Sequence, residues 1–191
     1  AWDYILYTDN EALLKNPTYG AWDVRPLEFS SLDPVRNSRW HKTHPHVLLQ
    51  HYDQSLWADG NVNILTDFLF KKIRTENHDL LIPRHFARTC IYQAAAVKAA
   101  GIDDPALVDA EVALEKAAGF PANYGLNETN ILYRSHKNPE IIQLMEEWWA
   151  MIEKYSKRDQ LALSFILWKH GITVESVSFE NTRLMKDDFF T

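Results

Sequence analysis

The sequence predicts an α/β fold with a mostly parallel central sheet flanked by helices. Short apolar runs alternate along the chain with amphipathic segments of helical period. The runs stop at turn formers, as at Asp9-Asn10, Asp59-Gly60-Asn61 and Pro83. With 191 residues and 46% hydrophobic side chains, the chain suffices for one substantial core. Helices interposed between strands favour parallel crossovers and a sheet covered on both faces.

Tyr4 to Thr8 reads as a strand closed by Asp9-Asn10, and Trp22 to Phe29 as a second, imperfect strand interrupted at Pro26. Asp33-Pro34 has the cap-then-proline form of a helix start, and a short helix is expected over His46 to His51. Gln54 to Ala58 is the next strand, followed by a helix from Thr66 to Glu76 with Phe68, Leu69 and Ile73 on one side. Leu80 to Ile82 is a strand ending at Pro83, and an alanine-rich helix is expected from Phe86 to Ala100. Asp104-Pro105 starts a helix that Gly119 ends, and Asn130 to Tyr133 is a strand. After Asn138-Pro139, the residues Ile141, Met145, Trp148, Ile152 and Tyr155 recur at helical spacing, the mark of one buried stripe; Trp148 is placed in the core and Trp149 at its edge or at an interface. A helix from Lys157 to His170 stops at Gly171, and Ile172 to Val177 is the last expected strand. No repeat or linker divides the chain, so residues 1–191 are read as one domain, with N-terminal and C-terminal elements expected to lie outside it.

The formal charge of −6 argues against a nucleic-acid polymer as partner, though a local basic patch can still hold a nucleotide. Cys90 is the only cysteine, which excludes an intrachain disulfide and a thiolate metal cluster. The chain shows neither an apolar run long enough to span a membrane nor a basic-then-apolar leader, so no membrane span is expected in it, and a cytoplasmic location fits without following from the sequence.

Asp59 offers a carboxylate, Gly60 a close backbone turn, and Asn61 a neutral oxygen, a set that suits Mg²⁺ or Mn²⁺ and equally an ordinary turn after a strand. Arg36, Arg39 and Lys42 lie just upstream, and the spacing of three lets Arg39 and Lys42 face one anion from a single helical turn. Arg84, His85 and Arg88 follow the Leu80 to Ile82 strand; His85 can bind a hydroxyl or a metal, and Arg88 a phosphate or a carboxylate. Asp159-Gln160 opens a helix. Ser156 and Asp159 match a capping box with Asp in the usual Glu place, while Asp159 and Gln160 can also face a sugar-sized cleft. Asn127-Glu128-Thr129 is formally a glycosylation triplet.

Taken in order, Asp3-Tyr4 through Thr8-Asp9-Asn10, Asp33-Pro34 with Arg36, Arg39 and Lys42, Tyr52 with Trp57-Ala58-Asp59-Gly60-Asn61, Arg84-His85 with Arg88, and Arg158-Asp159-Gln160-Leu161 with Ser164-Phe165 resemble a plant and bacterial family of glycosyltransferase-like domains related to A-type nucleotide-sugar glycosyltransferases. The likeness covers residues 3 to 170. It implies transfer of a sugar from a nucleotide-sugar donor to a hydroxyl of a glycan or other acceptor. By the resemblance, Asp9 lies near the nucleotide, and Arg36, Arg39, Lys42, Asp59 and Arg88 bind the donor. Asp59 and Asn61 take the place of the acidic metal motif. Asp159 and Gln160 act at the transferred sugar or acceptor, with Arg84 and His85 as further substrate contacts. Mn²⁺ is the implied cation and Mg²⁺ the alternative. Asn61 departs from the second aspartate common in that motif. The rival readings are a non-catalytic nucleotide-sugar or glycan-binding module and, behind it, a metal-dependent phosphoryl-transfer enzyme.

Overall fold

Four helix starts are written in the side chain that precedes them, Asn10, Asp33, Asp104 and Asn138. In the computed structural model, which describes residues 2–94, 101–183 and 185, strand β1 (Tyr4–Thr8) leads to Asn10, whose side chain accepts from the N–H groups of Ala12 and Leu13 and starts α1 (Glu11–Leu14). A short β2 (Thr18–Tyr19) and β3 (Trp22–Pro26) complete a small sheet of order β1-β3-β2, in which β1 and β3 run parallel and β2 antiparallel to β3. Asp33 caps α2 (Pro34–Thr43), and α3 (Pro45–Leu48) follows.

The second sheet contains β4 (Ser55–Ala58), β5 (Leu80–Pro83), β6 (Ile131–Arg134) and β7 (Ser178–Phe179) in the order β4-β6-β5-β7. This corrects the expectation of a mostly parallel sheet. Among the described residues, β6 pairs antiparallel with both β4 and β5, β2 pairs antiparallel with β3, and only β1 with β3 and β5 with β7 are parallel. The reason lies in the connections. One helix, α4 (Phe68–Thr75), joins β4 to β5 and returns the chain in the same direction. The described part of the β5–β6 connection holds two helical segments, α5 (Ile91–Ala94) and α6 (Pro105–Ala117), and β6 enters between its neighbours in the opposite sense. Helices α7 (Pro139–Lys154) and α8 (Asp159–Lys169) then reverse the chain again before β7.

The central strands β5 and β6 are buried throughout, and their side chains alternate between two cores. Leu80, Ile82 and Leu132 join the main core with α6, α7 and α8; Leu81, Ile131 and Tyr133 pack with Leu69 of α4 on the other face. The predicted stripe of α7 is present: Met145, Trp148 and Ile152 are fully buried. Trp149 is buried too, against the edges of Phe29 and His44. Helix α8 is buried on nearly every side from Leu161 to Leu167.

Two predicted elements differ. Within the described residues the helix expected from Phe86 begins at Ile91, because His85 Nδ1 accepts from the N–H groups of Ala87 and Arg88 and makes a turn there; residues 95–100 of that expected helix lie outside the described residues. The strand expected over Ile172 to Val177 is instead a turn and a 3₁₀ segment, Glu175–Val177, before β7. Val174 in that stretch packs on Gly125, which has a φ of +106°. A Cβ added to Gly125 would lie 2.7 Å from Val174 Cβ. Gly125→Ala is therefore expected to lower the unfolding free energy by about 2 to 4 kcal/mol through overpacking and backbone strain. Urea unfolding checks this, and a Val174→Ala second change should recover only the overpacking part.

Candidate functional site

Asp59 is fixed one step beyond the β4–β6 ladder. Its N–H donates to the Asn130 carbonyl (2.8 Å), its own carbonyl accepts from Val62 (2.9 Å), and the Trp57 indole N–H donates to its Oδ1 (2.7 Å). Gly60 in the following turn has ordinary φ and open space at the Cβ position.

Helix α2 brings Arg39 and Lys42 to the same place, as their spacing predicts. Lys42 Nζ is completely buried and lies 2.6 Å from Asp159 Oδ2 and 3.7 Å from Asp59 Oδ1. Arg39 bridges the same two acids, with Nε 3.2 Å from Asp159 and a terminal nitrogen 3.7 Å from Asp59. The Asp159 backbone is held as well, its carbonyl accepting from Trp148 Nε1 at 2.8 Å. Burial alone would raise the pKa of Asp159; the charges of Lys42 and Arg39 and the bonds from Lys42 and Thr129 outweigh it and hold the carboxyl below its ordinary value. Burial pushes the Lys42 ammonium down, and Asp159 and Asp59 oppose that push.

The capping box expected at Ser156 and Asp159 does not form. Ser156 N–H donates to Glu111 Oε2, and its hydroxyl donates to Asp103 while accepting from Arg158 N–H. The Asp159 carboxylate turns toward Lys42 and Arg39 instead.

These groups open on a cleft of about 730 Å³ whose lining includes Arg39, Asp59, Asn61, Asp159 and Gln160. The sequence reading had not singled out Glu128, Thr129, Asn130 and Arg183 for this site, yet they form the remaining wall together with Arg158. Glu128 accepts from Arg183 Nε at 3.1 Å, and Asn130 donates to Thr182 at 3.2 Å. The one available signal was the Asn127-Glu128-Thr129 triplet, and it pointed to a different chemistry: the Asn127 amide is buried and donates to Pro83 and Ser178.

Other predicted residues lie elsewhere or at the margin. Asp9 is exposed after β1 and does not line the cleft. Arg36 donates to the carbonyls of Ile152 and Tyr155 and pairs with Asp33, tying α2 to the end of α7. The Arg84 backbone is bonded to Phe179 and Asn181, and its side chain is exposed. His85 is held neutral: burial, then the charges of Arg88, Arg183 and Arg158, push it down to about 4.

The donor set does not fit a resident divalent cation. Asp59 is already bonded to Trp57 and flanked by two cations, Asp159 is engaged by Lys42 and Arg39, and Glu128 by Arg183. Among the described residues no group of three or more His, Cys, Asp or Glu side chains is placed to hold a metal. Nor is any described helix long and apolar enough to cross a membrane.

No solved structure matches the chain significantly. A protein of Arabidopsis thaliana named "Probable hexosyltransferase MUCI70" is 27% identical over 184 aligned residues, which cover 83% of this chain. The chain spans about 30% of the length of that relative. Residues 4–186 match the family described as TOD1/MUCI70, glycosyltransferase-like domain. With nearly its whole length matched, the chain belongs to the TOD1/MUCI70 glycosyltransferase-like domain family.

Proposed function

We propose that the cleft transfers a hexosyl unit from a nucleotide-sugar donor to a hydroxyl of a glycan or other acceptor. The observation that carries this reading is the Asp59, Lys42, Arg39 and Asp159 network on the wall of a sugar-sized cleft, in a chain of a glycosyltransferase-like family. The hexosyl specification comes from the name of the Arabidopsis relative.

In the reaction the bond from the anomeric carbon to the donor diphosphate breaks with its electron pair on the departing oxygen. The acceptor oxygen bonds to the anomeric carbon and gives up its proton. Asp59 suits that proton: its side chain keeps 26% exposure, against 4% for Asp159 and 5% for Glu128, and its ion pairs are the longest of the three. Asp159, ionised and locked between two cations, is a poor base; it holds Arg39 and Lys42 in position. Gln160 and Asn61 offer amides to sugar hydroxyls.

The test is a panel of nucleotide sugars and oligosaccharide acceptors, with nucleotide release and product mass as readouts. Asp59→Asn is expected to lower kcat by about 10²-fold or more with an unchanged melting temperature. Undiminished turnover in that variant removes Asp59 from the chemistry. A donor that binds but releases no nucleotide with any acceptor would favour the non-catalytic binding module.

A further inference from the structure

A departing diphosphate needs positive charge at the moment the glycosidic bond breaks. The cleft has it in side chains. Its three carboxylates, Asp59, Glu128 and Asp159, are all paired with cations; against them stand Arg39, Arg158 and Arg183 on the lining and, buried behind the wall, Lys42. Such a wall attracts an anion in preference to a divalent cation.

Arg158 is the cation left over. It lines the cleft at the start of α8, and its contact is a 3.4 Å bond to Gln160 Oε1, with no carboxylate partner among the described residues. The charges of Arg158 and Arg183, and that of Arg88 outside the cleft lining, all bear on the His85 imidazole. His85 Nδ1 accepts two backbone N–H bonds, which leaves the ring proton on Nε2. Arg183 is held by Glu128 and by the Phe86 ring, 4.7 Å below its guanidinium.

Resting on the proposed sugar transfer, we propose that Arg158 and Arg183 bind the donor diphosphate and neutralise it as leaving group, in the place a divalent cation would take. Guanidinium forks match paired phosphate oxygens, and Arg158 is free to do so without breaking an ion pair. The electron pair of the broken bond stays on the diphosphate oxygen, where these donors meet it.

The experiment is calorimetric titration of the intact protein with UDP, GDP, ADP and CDP, each in EDTA and each in Mn²⁺. One of them is expected to bind in EDTA with an affinity that Mn²⁺ does not improve. Arg158→Ala should weaken that binding by about 10- to 100-fold, the loss of charged hydrogen bonds, and Arg158→Lys should restore part of it. Thermal melts of both variants confirm that the fold is intact. Binding that appears only with Mn²⁺, or that Arg158→Ala leaves unchanged, overturns the arginine clamp and leaves the sugar-transfer reading standing. No binding of any nucleoside diphosphate under either condition overturns both.

Discussion

Replacing Lys42 by methionine is expected to lower the unfolding free energy by about 3 to 5 kcal/mol, the range for removing one partner of a buried ion pair. The ammonium is completely buried, and its removal would leave the Asp159 carboxylate, 4% exposed, facing Arg39 and Thr129 alone. The effect should carry a distinctive pH signature. In the native protein the folded pKa of Asp159 lies below the unfolded 3.8, so its contribution is present above about pH 3.8 and is lost as the pH falls through the folded value. Without Lys42 the burial effect, already the largest single influence on Asp159, gains ground and raises the folded pKa. The protonated acid then becomes the form that fits the site better. The stability deficit of Lys42→Met should therefore shrink as the pH falls from neutrality, and urea unfolding at several pH values reads it directly. A second change, Asp159→Leu, should recover much of the loss, because it removes the stranded charge. A deficit independent of pH and of Asp159 would mean that Lys42 stabilises the fold by its methylenes and not by its charge.

The parts of the site legible in the sequence were those set by local spacing. Arg39 and Lys42 meet one target because three residues on a helix share a side, and Asp59 reaches the cleft because it ends a strand. Helix starts were legible for the same reason: Asp33, Asp104 and Asn138 each cap the helix that their following proline opens. What could not be read was strand direction. The runs at Leu80 and Ile131 show where strands are, but no local pattern says that Ile131–Arg134 slides between β4 and β5 in reverse. That reversal carries the loop of Glu128, Thr129 and Asn130 past Asp59, which is why the second wall of the cleft went unseen. Arg36 shows the opposite failure. It sits in the basic segment with Arg39 and Lys42, yet it points to the carbonyls at the end of α7, contacts a hundred residues away that no spacing rule contains.

Glu111→Gln and Glu115→Met are each expected to stabilise the protein, and by a margin that grows with pH. Both carboxyls lie on successive turns of α6 with no exposed surface. Glu111 Oε2 accepts from Ser156 N–H at 3.1 Å, whereas Glu111 Oε1 and both oxygens of Glu115 have no hydrogen-bond partner among the described residues. Burial first, and Asp103 further, raise Glu111 to about 8 against the bond from Ser156; burial and Glu111 raise Glu115 to about 9. A carboxyl whose folded pKa is raised contributes fully below its unfolded value of 4.5, and that contribution is lost as the pH climbs toward 8 and 9. Across that window the unfolded chain has released the proton and the folded one keeps it, so ionisation pulls toward unfolding. Gln cannot ionise and can still accept from Ser156, while Met replaces an unpartnered buried acid with an apolar chain of similar length. The gain should be small near pH 5 and reach about 1 to 3 kcal/mol per site near pH 8. Thermal or urea unfolding of each variant at about pH 5, 7 and 9 checks the slope. A margin equal at all three would mean that these carboxyls ionise in the native fold at the same pH as in the unfolded chain.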